Sequence, residues 1–339
     1  MFKKTLVAAA LSTAAMSASA YEIGQNNDFS VEVYGVAAIS AVDYGKANLK
    51  DGKKVGIVLE NESRIGFRAG KEMVPNLEAF MQIEGGYVDS WQGGTLGARD
   101  TFVGLKGDWG KVRFGRMLTP MYEIVDWPYS NPGLGRVFDW GGDVSFNYDR
   151  QSNTVRYDSP SLGGLTFSLA AGRDGSPSGD ATPDSYYGGA SAHYTIADMV
   201  TLHGGVESAK DFRGVKDADT FGYIVGFEAA LPAGFGLAGA YKYGENDNHA
   251  ASGLKGKQGS YSIIGQYWAG SLGFKVGYAA NEEYKLDGAK VKDSDDNVLS
   301  GQVMYVVNGF VPYLRVAQRD LDGSSTKGTV VRVGLEYGF

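Results

Sequence analysis

Any chemistry in this chain has to come from charged and aromatic side chains. The sequence has three histidines, His193, His203 and His249, and no cysteine, so thiol chemistry is excluded. The zinc-protease pattern His-Glu-x-x-His is absent. His193 and His203 lie in neighbouring predicted strands on the face with small and charged residues, which does not fit a hydrolase with an outward Ser–His pair. We therefore expect no enzymatic activity, no cofactor and no metal site.

One segment, residues 117–145, is too irregular for a strand and too aromatic for a solvated linker. Its three prolines and four glycines interrupt regular structure. A loop this long inside a compact protein is uncommon and usually functional. We interpret it as a loop that folds back into a β-barrel and narrows the lumen. Its aromatic residues are Tyr122, Trp127, Tyr129, Phe138 and Trp140.

Residues 1–20 are typical of a cleaved secretory signal peptide. Lys3 and Lys4 precede a short apolar core, and Ala18-Ser19-Ala20 is a cleavage site. The mature chain, 21–339, then carries 30 basic and 39 acidic residues, a formal charge of −9. This acidity argues against nucleic acid as a partner. Export without cysteine means that stability comes from backbone pairing and packing.

Sixteen short runs of alternating character predict sixteen β-strands. In the last run Val331, Val333 and Leu335 share one face, whereas Arg332 and Glu336 share the other. By the same alternation, we expect Lys242, Lys275, Arg315 and Arg332 to face water inside a barrel. The runs are 29–43, 61–72, 77–88, 99–106, 111–117, 147–159, 165–173, 186–196, 200–209, 219–230, 235–243, 260–268, 272–284, 298–308, 310–319 and 328–339.

The connections between these runs alternate between short turns and long polar loops. This sorting is typical of an outer-membrane barrel, whose turns are periplasmic, and gives no advantage to a soluble sandwich with an inward apolar face. A closed barrel also pairs every backbone group, as hydrocarbon demands. The mature chain has no run of 18 apolar residues for a transmembrane helix. The predicted class is all-β, a 16-stranded antiparallel transmembrane barrel.

Four stretches resemble the general diffusion porins of Gram-negative outer membranes. They are Ser63–Gly70, Arg99–Gly107 with Gly110–Arg116, Asn153–Pro160, and the terminal Phe339 after Tyr337. The resemblance implies a homotrimer in the outer membrane, in contact with lipid and lipopolysaccharide. It also implies that residues 117–145 are the third external loop, folded inside, and that the barrel assembly machinery reads Phe339.

The same resemblance supplies candidate constriction residues. By motif position the wall arginines are Arg64, Arg99 and Arg150. The alternation of side chains along the strands also places Arg68 and Arg113 on the inward face (inward parity), whereas it places Arg116 on the outward face (outward parity). On the loop, Asp139 replaces the glutamate of the family's Glu-Phe-Gly-Gly-Asp segment. Opposed rims of charge would orient polar solutes and screen them by charge; alternatively, the arginines are ordinary lumen residues solvated by water. The remaining acidic candidates of the loop are Glu123, Asp126 and Asp143.

Three functions stay open from the sequence. The first is passive diffusion of small hydrophilic solutes through a water-filled channel. The second is a selective oligosaccharide porin, in which Trp127, Tyr129 and Trp140 contact sugar rings rather than anchor the loop. The third is a non-conducting barrel that acts as an adhesin or structural protein. Ion preference is not determined, because the acidic net charge and the arginine wall favour opposite ions.

Overall fold

The computed structural model describes residues 21–26, 29–45, 49–50, 53–90, 93–130, 136–140, 142–175, 181–320 and 327–339. The predicted signal peptide, 1–20, lies outside the described residues, as do residues 131–135 and 141 of the predicted constriction loop.

Sixteen antiparallel strands form the wall of a closed barrel in the described part of the chain, as the alternation predicted. The second strand has two segments, and a short additional strand, Tyr21–Asn26, pairs with the start of the first. The wall strands are β1 Phe29–Asp43, β2 Ile57–Asn61 with Arg64–Val74, β3 Leu77–Gly85, β4 Leu96–Gly107, β5 Gly110–Leu118, β6 Arg150–Asp158, β7 Leu165–Gly175, β8 Ala181–Ile196, β9 Val200–Lys210, β10 Thr220–Ala230, β11 Phe235–Asn246, β12 Gly256–Ala269, β13 Leu272–Asn281, β14 Asp296–Tyr305, β15 Phe310–Asp320 and β16 Gly328–Gly338.

The barrel closes where β1 pairs with β2 on one side and with β16 on the other. The β1–β16 register runs from Val36 opposite Gly338 to Asp43 opposite Val331. At the end of this seam, Gly35 and Phe339 exchange two backbone hydrogen bonds of 3.0 Å. Closure removes the unpaired edges that an open sheet would expose to hydrocarbon.

The two faces of the wall differ as the alternation predicts. In β16, Val333 is 56% exposed and Leu335 46%, whereas Arg332 between β1 and β15 is 6% exposed. The apolar side chains therefore cover the outside, and charged or small side chains point inward. The expected water exposure is wrong for Lys242 and Arg332, since both point inward but are only 3% and 6% exposed.

Short turns and longer loops lie at opposite ends of the wall. Turn residues Asn76, Asp198 and Asn308 adopt positive φ angles, which tight connections require. The loop after β13 contains a small hairpin in which Lys285–Leu286 pairs with Ala289–Lys290. The main described helix is α1, Pro120–Asp126. None of the described helices has the length and hydropathy needed to cross a membrane.

Candidate pore constriction

The predicted constriction segment begins with α1, which packs on the inner face of the wall. Thr119 caps the helix by accepting a 3.3 Å hydrogen bond from the backbone N–H of Tyr122, and Pro120 occupies its first turn. Ile124 lies against Gly205 of β9, where an added Cβ would be 3.1 Å from its Cδ1 atom. The side chain missing at Gly205 therefore lets the helix approach the wall closely.

The rest of the segment is held by polar side chains of β11, β12 and β13. Lys242 donates to the carbonyl oxygens of Phe138 and Asp139, the latter at 3.0 Å. Asn281 accepts a 3.2 Å hydrogen bond from the N–H of Phe138, and Ser262 donates one of 2.8 Å to the carbonyl of Tyr129. These wall residues are on inward parity, so the described part of the segment lies against the lumen-facing side of the barrel.

The three motif arginines lie on the opposite part of the wall and are paired with carboxylates of that wall. Arg99 and Arg64 share Glu84, with the Arg64 Nε atom 3.7 Å from its Oε1 atom. Arg150 Nε is 2.6 Å from the Oδ1 atom of Asp100. Acids of the wall therefore neutralise these arginines. The sequence had pointed only to acids of the loop as their partners.

An aromatic ring lies beside two of these arginines. The guanidinium carbons of Arg99 and Arg64 are 4.7 Å and 5.4 Å from the ring centre of Tyr87. Tyr34 donates a 2.8 Å hydrogen bond to the other oxygen of Glu84. Cation–π contact and the shared carboxylate fix both guanidinium groups in place.

Asp126, at the end of α1, is an exposed acid of the loop. Its carboxyl group interacts electrostatically with the three motif arginines. Its side chain is accessible to solvent although protein surrounds it. The surrounding protein raises the pKa of Asp126, and the positive charges of Arg150, Arg99 and Arg64 act in the opposite direction. Solvent access combined with these opposing effects on the pKa is expected of a carboxyl group that projects into a narrow lumen.

The other predicted loop acids lie elsewhere. Glu123 pairs with Arg156 of β6. Asp139 is 8% exposed and accepts hydrogen bonds from Tyr122, at 2.7 Å, and Ser130, at 3.3 Å. Burial raises the pKa of Asp139 to about 6. Asp139 is thus held within the segment, whereas Glu123 joins the segment to the wall through Arg156.

Asp143 is partly buried, and its backbone N–H donates a 2.9 Å hydrogen bond to Gln258 of β12. This contact ties the returning end of the segment to the wall.

Arg68 and Arg113 lie towards the turn end of the lumen, in a cavity of about 340 Å³. Arg68 approaches Glu32 at 3.5 Å, and Arg113 approaches Asp158 at 2.7 Å. As at the motif arginines, each positive charge has a carboxylate partner on the wall.

The loop aromatics have different environments. Tyr129 is fully buried, with its ring centre 6.3 Å from that of Phe138, so it anchors the loop. Trp127 is partly exposed, and the Nζ atom of Lys275 lies 4.9 Å from its ring centre. The side chain of Trp140 lies outside the described residues. Among the loop aromatics whose side chains the structure describes, Trp127 is therefore the candidate for contact with a solute.

Comparisons with known proteins agree on the class of the barrel. A family model described as "Gram-negative porin" matches residues 5–324. Chitoporin of Vibrio furnissii is 54% identical over 371 residues, covering 100% of this chain and 99% of that protein. Major outer membrane protein P.IB of Neisseria gonorrhoeae is 28% identical over 176 residues, covering 49% of this chain and 47% of that protein.

Two solved structures share the fold. The anion-selective porin from Comamonas acidovorans has a TM-score of 0.67 at 19% identity, covering 92% of this chain and 100% of that one. OmpT of Vibrio cholerae in its trimer form has a TM-score of 0.71 at 17% identity, again covering 92% of this chain and 100% of that one.

Proposed function

This chain belongs to the Gram-negative porin family and forms an outer-membrane channel, and we propose that the channel selectively admits neutral oligosaccharides of the chitin type. The 54% identity to a chitoporin extends over the whole chain, whereas the likeness to general porins is weaker or limited to the fold. This favours the saccharide-selective alternative over unselective diffusion. Catalysis is not part of the proposal.

The observation that carries the proposal is the balance of charge between the loop and the opposite wall. Arg64, Arg99 and Arg150 are matched by Glu84 and Asp100 on the wall and by Asp126 on the loop. A passage with unmatched charge would concentrate ions of the opposite sign. A balanced one offers polar groups to an uncharged sugar without favouring either ion.

We place the narrowest point between Asp126 and these arginines, with Trp127 at its edge. Carbohydrate rings present C–H faces that pack on aromatic rings, and their hydroxyl groups bond to charged side chains. The partly exposed indole of Trp127 would contact the ring face, while guanidinium and carboxylate groups bind the hydroxyl edge. Tyr129, Glu123, Asp139 and Asp143 then have the supporting task of holding the loop in place.

Planar-bilayer recording tests this proposal. We expect chitohexaose to block single-channel current in a saturable way, with little block by maltohexaose, and a reversal potential near zero under a potassium chloride gradient. Trp127→Ala should weaken the block, whereas Trp109→Ala, in the β4–β5 turn, should not. Equal block by both sugars would support general diffusion, and a channel that never conducts would support an adhesin or structural barrel.

We also propose that the channel is a homotrimer whose assembly uses the carboxy-terminal Phe339. Support comes from the trimeric form of the structurally similar OmpT and from the position of Phe339 in the closing seam. The exposed apolar belt would contact lipid, and the end of the barrel that carries the long loops would contact lipopolysaccharide. Light scattering of the detergent-solubilised protein should give three chains per particle; a single chain would contradict the trimer.

A further inference from the structure

Two histidines meet on the inner wall. His193 of β8 and His203 of β9 are directly opposite in the strand ladder. Their Nδ1 atoms are 2.7 Å apart, and their ring centres are 5.0 Å apart. His193 is partly buried, whereas the side chain of His203 is only 8% exposed. Two imidazole nitrogens that converge on the lumen-facing wall have the geometry of a metal-binding pair.

A carboxylate lies behind one of the two rings. The Nε2 atom of His203 is 3.6 Å from the Oε1 atom of Glu228 on β10, and this nitrogen has no hydrogen-bond partner. Histidines that bind metals usually turn their second nitrogen towards a carboxylate, which holds the proton there and leaves the other nitrogen free as a ligand. Glu228 lies just beyond hydrogen-bonding distance of this nitrogen, and a small approach would give His203 this tautomer, with the Nδ1 lone pair directed at His193.

We propose that His193 and His203 bind a divalent transition-metal ion of the class that prefers imidazole, such as Ni²⁺, Cu²⁺ or Zn²⁺. Nitrogen ligands lie about 2.0–2.1 Å from such an ion, so the two rings need to separate by only a few tenths of an ångström. Glu228 acts as a positioning residue. Among the described residues, no group of three or more His, Cys, Asp or Glu side chains has metal-site geometry. The bound ion therefore keeps water ligands and exchanges readily.

The loop approaches this site closely. The ring of Tyr129 meets that of His203 edge-on, with ring centres 5.9 Å apart, and Glu228 lines a cavity together with Trp127 and Pro128. A bound ion would add positive charge to the wall near the β8–β9 turn. Hard cations such as Mg²⁺ prefer oxygen ligands and should not bind there.

Calorimetric titration of the full, detergent-solubilised protein with Ni²⁺ tests the proposal. His193→Asn and His203→Asn should each weaken Ni²⁺ binding about tenfold or more, since loss of even an outer-shell partner costs that much. Glu228→Gln should weaken it less. His249→Asn is the matched control, because His249 lies in the loop after β11 and should leave the affinity unchanged.

Heat-modifiable mobility on gels checks that each variant is folded, and His193→Gln replaces any variant that is not. Copper electron paramagnetic resonance should report two nitrogen ligands in the wild type and one in either single variant. Absence of Ni²⁺ binding by the folded wild type, or equal affinity in the wild type and both asparagine variants, would overturn the proposal. The pair would then be a cross-strand hydrogen bond only.

Discussion

At the scale of single residues, the lumen is organised by ion pairs formed within the wall. Arg150 and Asp100 are an example: the Arg150 side chain is 12% exposed and that of Asp100 18%. Because both are largely desolvated, removing one leaves the other charge without compensation. Ion selectivity should therefore change when one member of the pair is neutralised and stay nearly unchanged when both are.

Neutralising one member of this pair should change ion selectivity. Arg150→Gln leaves Asp100 unpaired, so we expect the reversal potential under a salt gradient to move towards cations. Asp100→Asn should move it towards anions by the same reasoning. In the double variant the reversal potential should return close to that of the wild type. A double variant that remains as selective as either single one would show that the two side chains do not compensate each other.

Asp139 should make thermal stability depend on pH. Its pKa, raised to about 6 by burial, means that the folded state favours the neutral carboxyl group. The stabilisation is fully present below the ordinary aspartate pKa, near 4, and is lost as pH rises through about 6. We expect the melting temperature of the wild type to fall more between pH 4 and pH 7.5 than that of Asp139→Asn.

Asp143→Asn is the control for this measurement, since Asp143 is less buried than Asp139. Parallel melting curves for the wild type and Asp139→Asn across this pH range would contradict the assignment.

At the scale of elements, alternation predicted the strands but failed where the ladder is irregular. Arg116 has outward parity with Phe114, yet it is 8% exposed and donates a 2.8 Å hydrogen bond to the carbonyl of Ala98. The cause is local: Gly115 has a φ of 142°, and the β5–β6 register shifts between Gln151 and Thr154. Such a bulge redirects a side chain, and parity alone cannot locate it.

The same limitation applies to Arg99 and Asp100. Consecutive strand residues should point to opposite faces, but Arg99 pairs with Glu84 and Asp100 with Arg150. The β3–β4 register shifts between Ile83 and Gly85, which breaks the alternation there. The family motif located Arg99. Asp100 lies in the same motif stretch, but strict alternation would place it on the outer face, and Glu84 lies outside the four motif stretches.

Lys242 should control how firmly the loop is held. Its ammonium group donates to two loop carbonyls, and a buried carbonyl without a donor costs about 1–3 kcal/mol. Lys242→Met keeps much of the side-chain volume but removes both hydrogen bonds. We expect more frequent current fluctuations in single-channel records, because the loop samples further positions. Lys257→Met is the matched control on the neighbouring strand, where its partner is Glu245; equal noise in both variants would contradict this role.

At the scale of the whole molecule, the barrel and its two faces followed from the sequence, and so did the family. The substrate did not, because an aromatic loop fits both a sugar contact and a wall anchor. Tyr129 proved to be an anchor and Trp127 partly exposed, a difference that depends on tertiary contacts with Phe138 and Lys275. Neither contact has a signature within the loop itself.

Closure of the barrel should be sensitive to Gly35. A Cβ atom there would lie 2.7 Å from the ring of Phe339 and 2.9 Å from the carbonyl oxygen of Arg64. Gly35→Val should therefore reduce the fraction of heat-modifiable, folded protein recovered from outer membranes, as should deletion of Phe339. Gly265→Val is the control, because an added Cβ at Gly265 meets no atom within 4 Å. Equal recovery of all variants would show that this seam does not limit assembly.

The pairing of Arg64, Arg99 and Arg150 with acids also affects how a hydroxylated chain would advance. A guanidinium group only donates hydrogen bonds and a carboxylate only accepts them, whereas each sugar hydroxyl does both. Alternating partners along the wall would let a chain exchange one hydrogen bond for the next without leaving either member unsatisfied. At longer range each pair acts as a dipole, whose field decays faster than that of a lone charge. Movement along such a wall would then meet small energy barriers rather than one deep binding well.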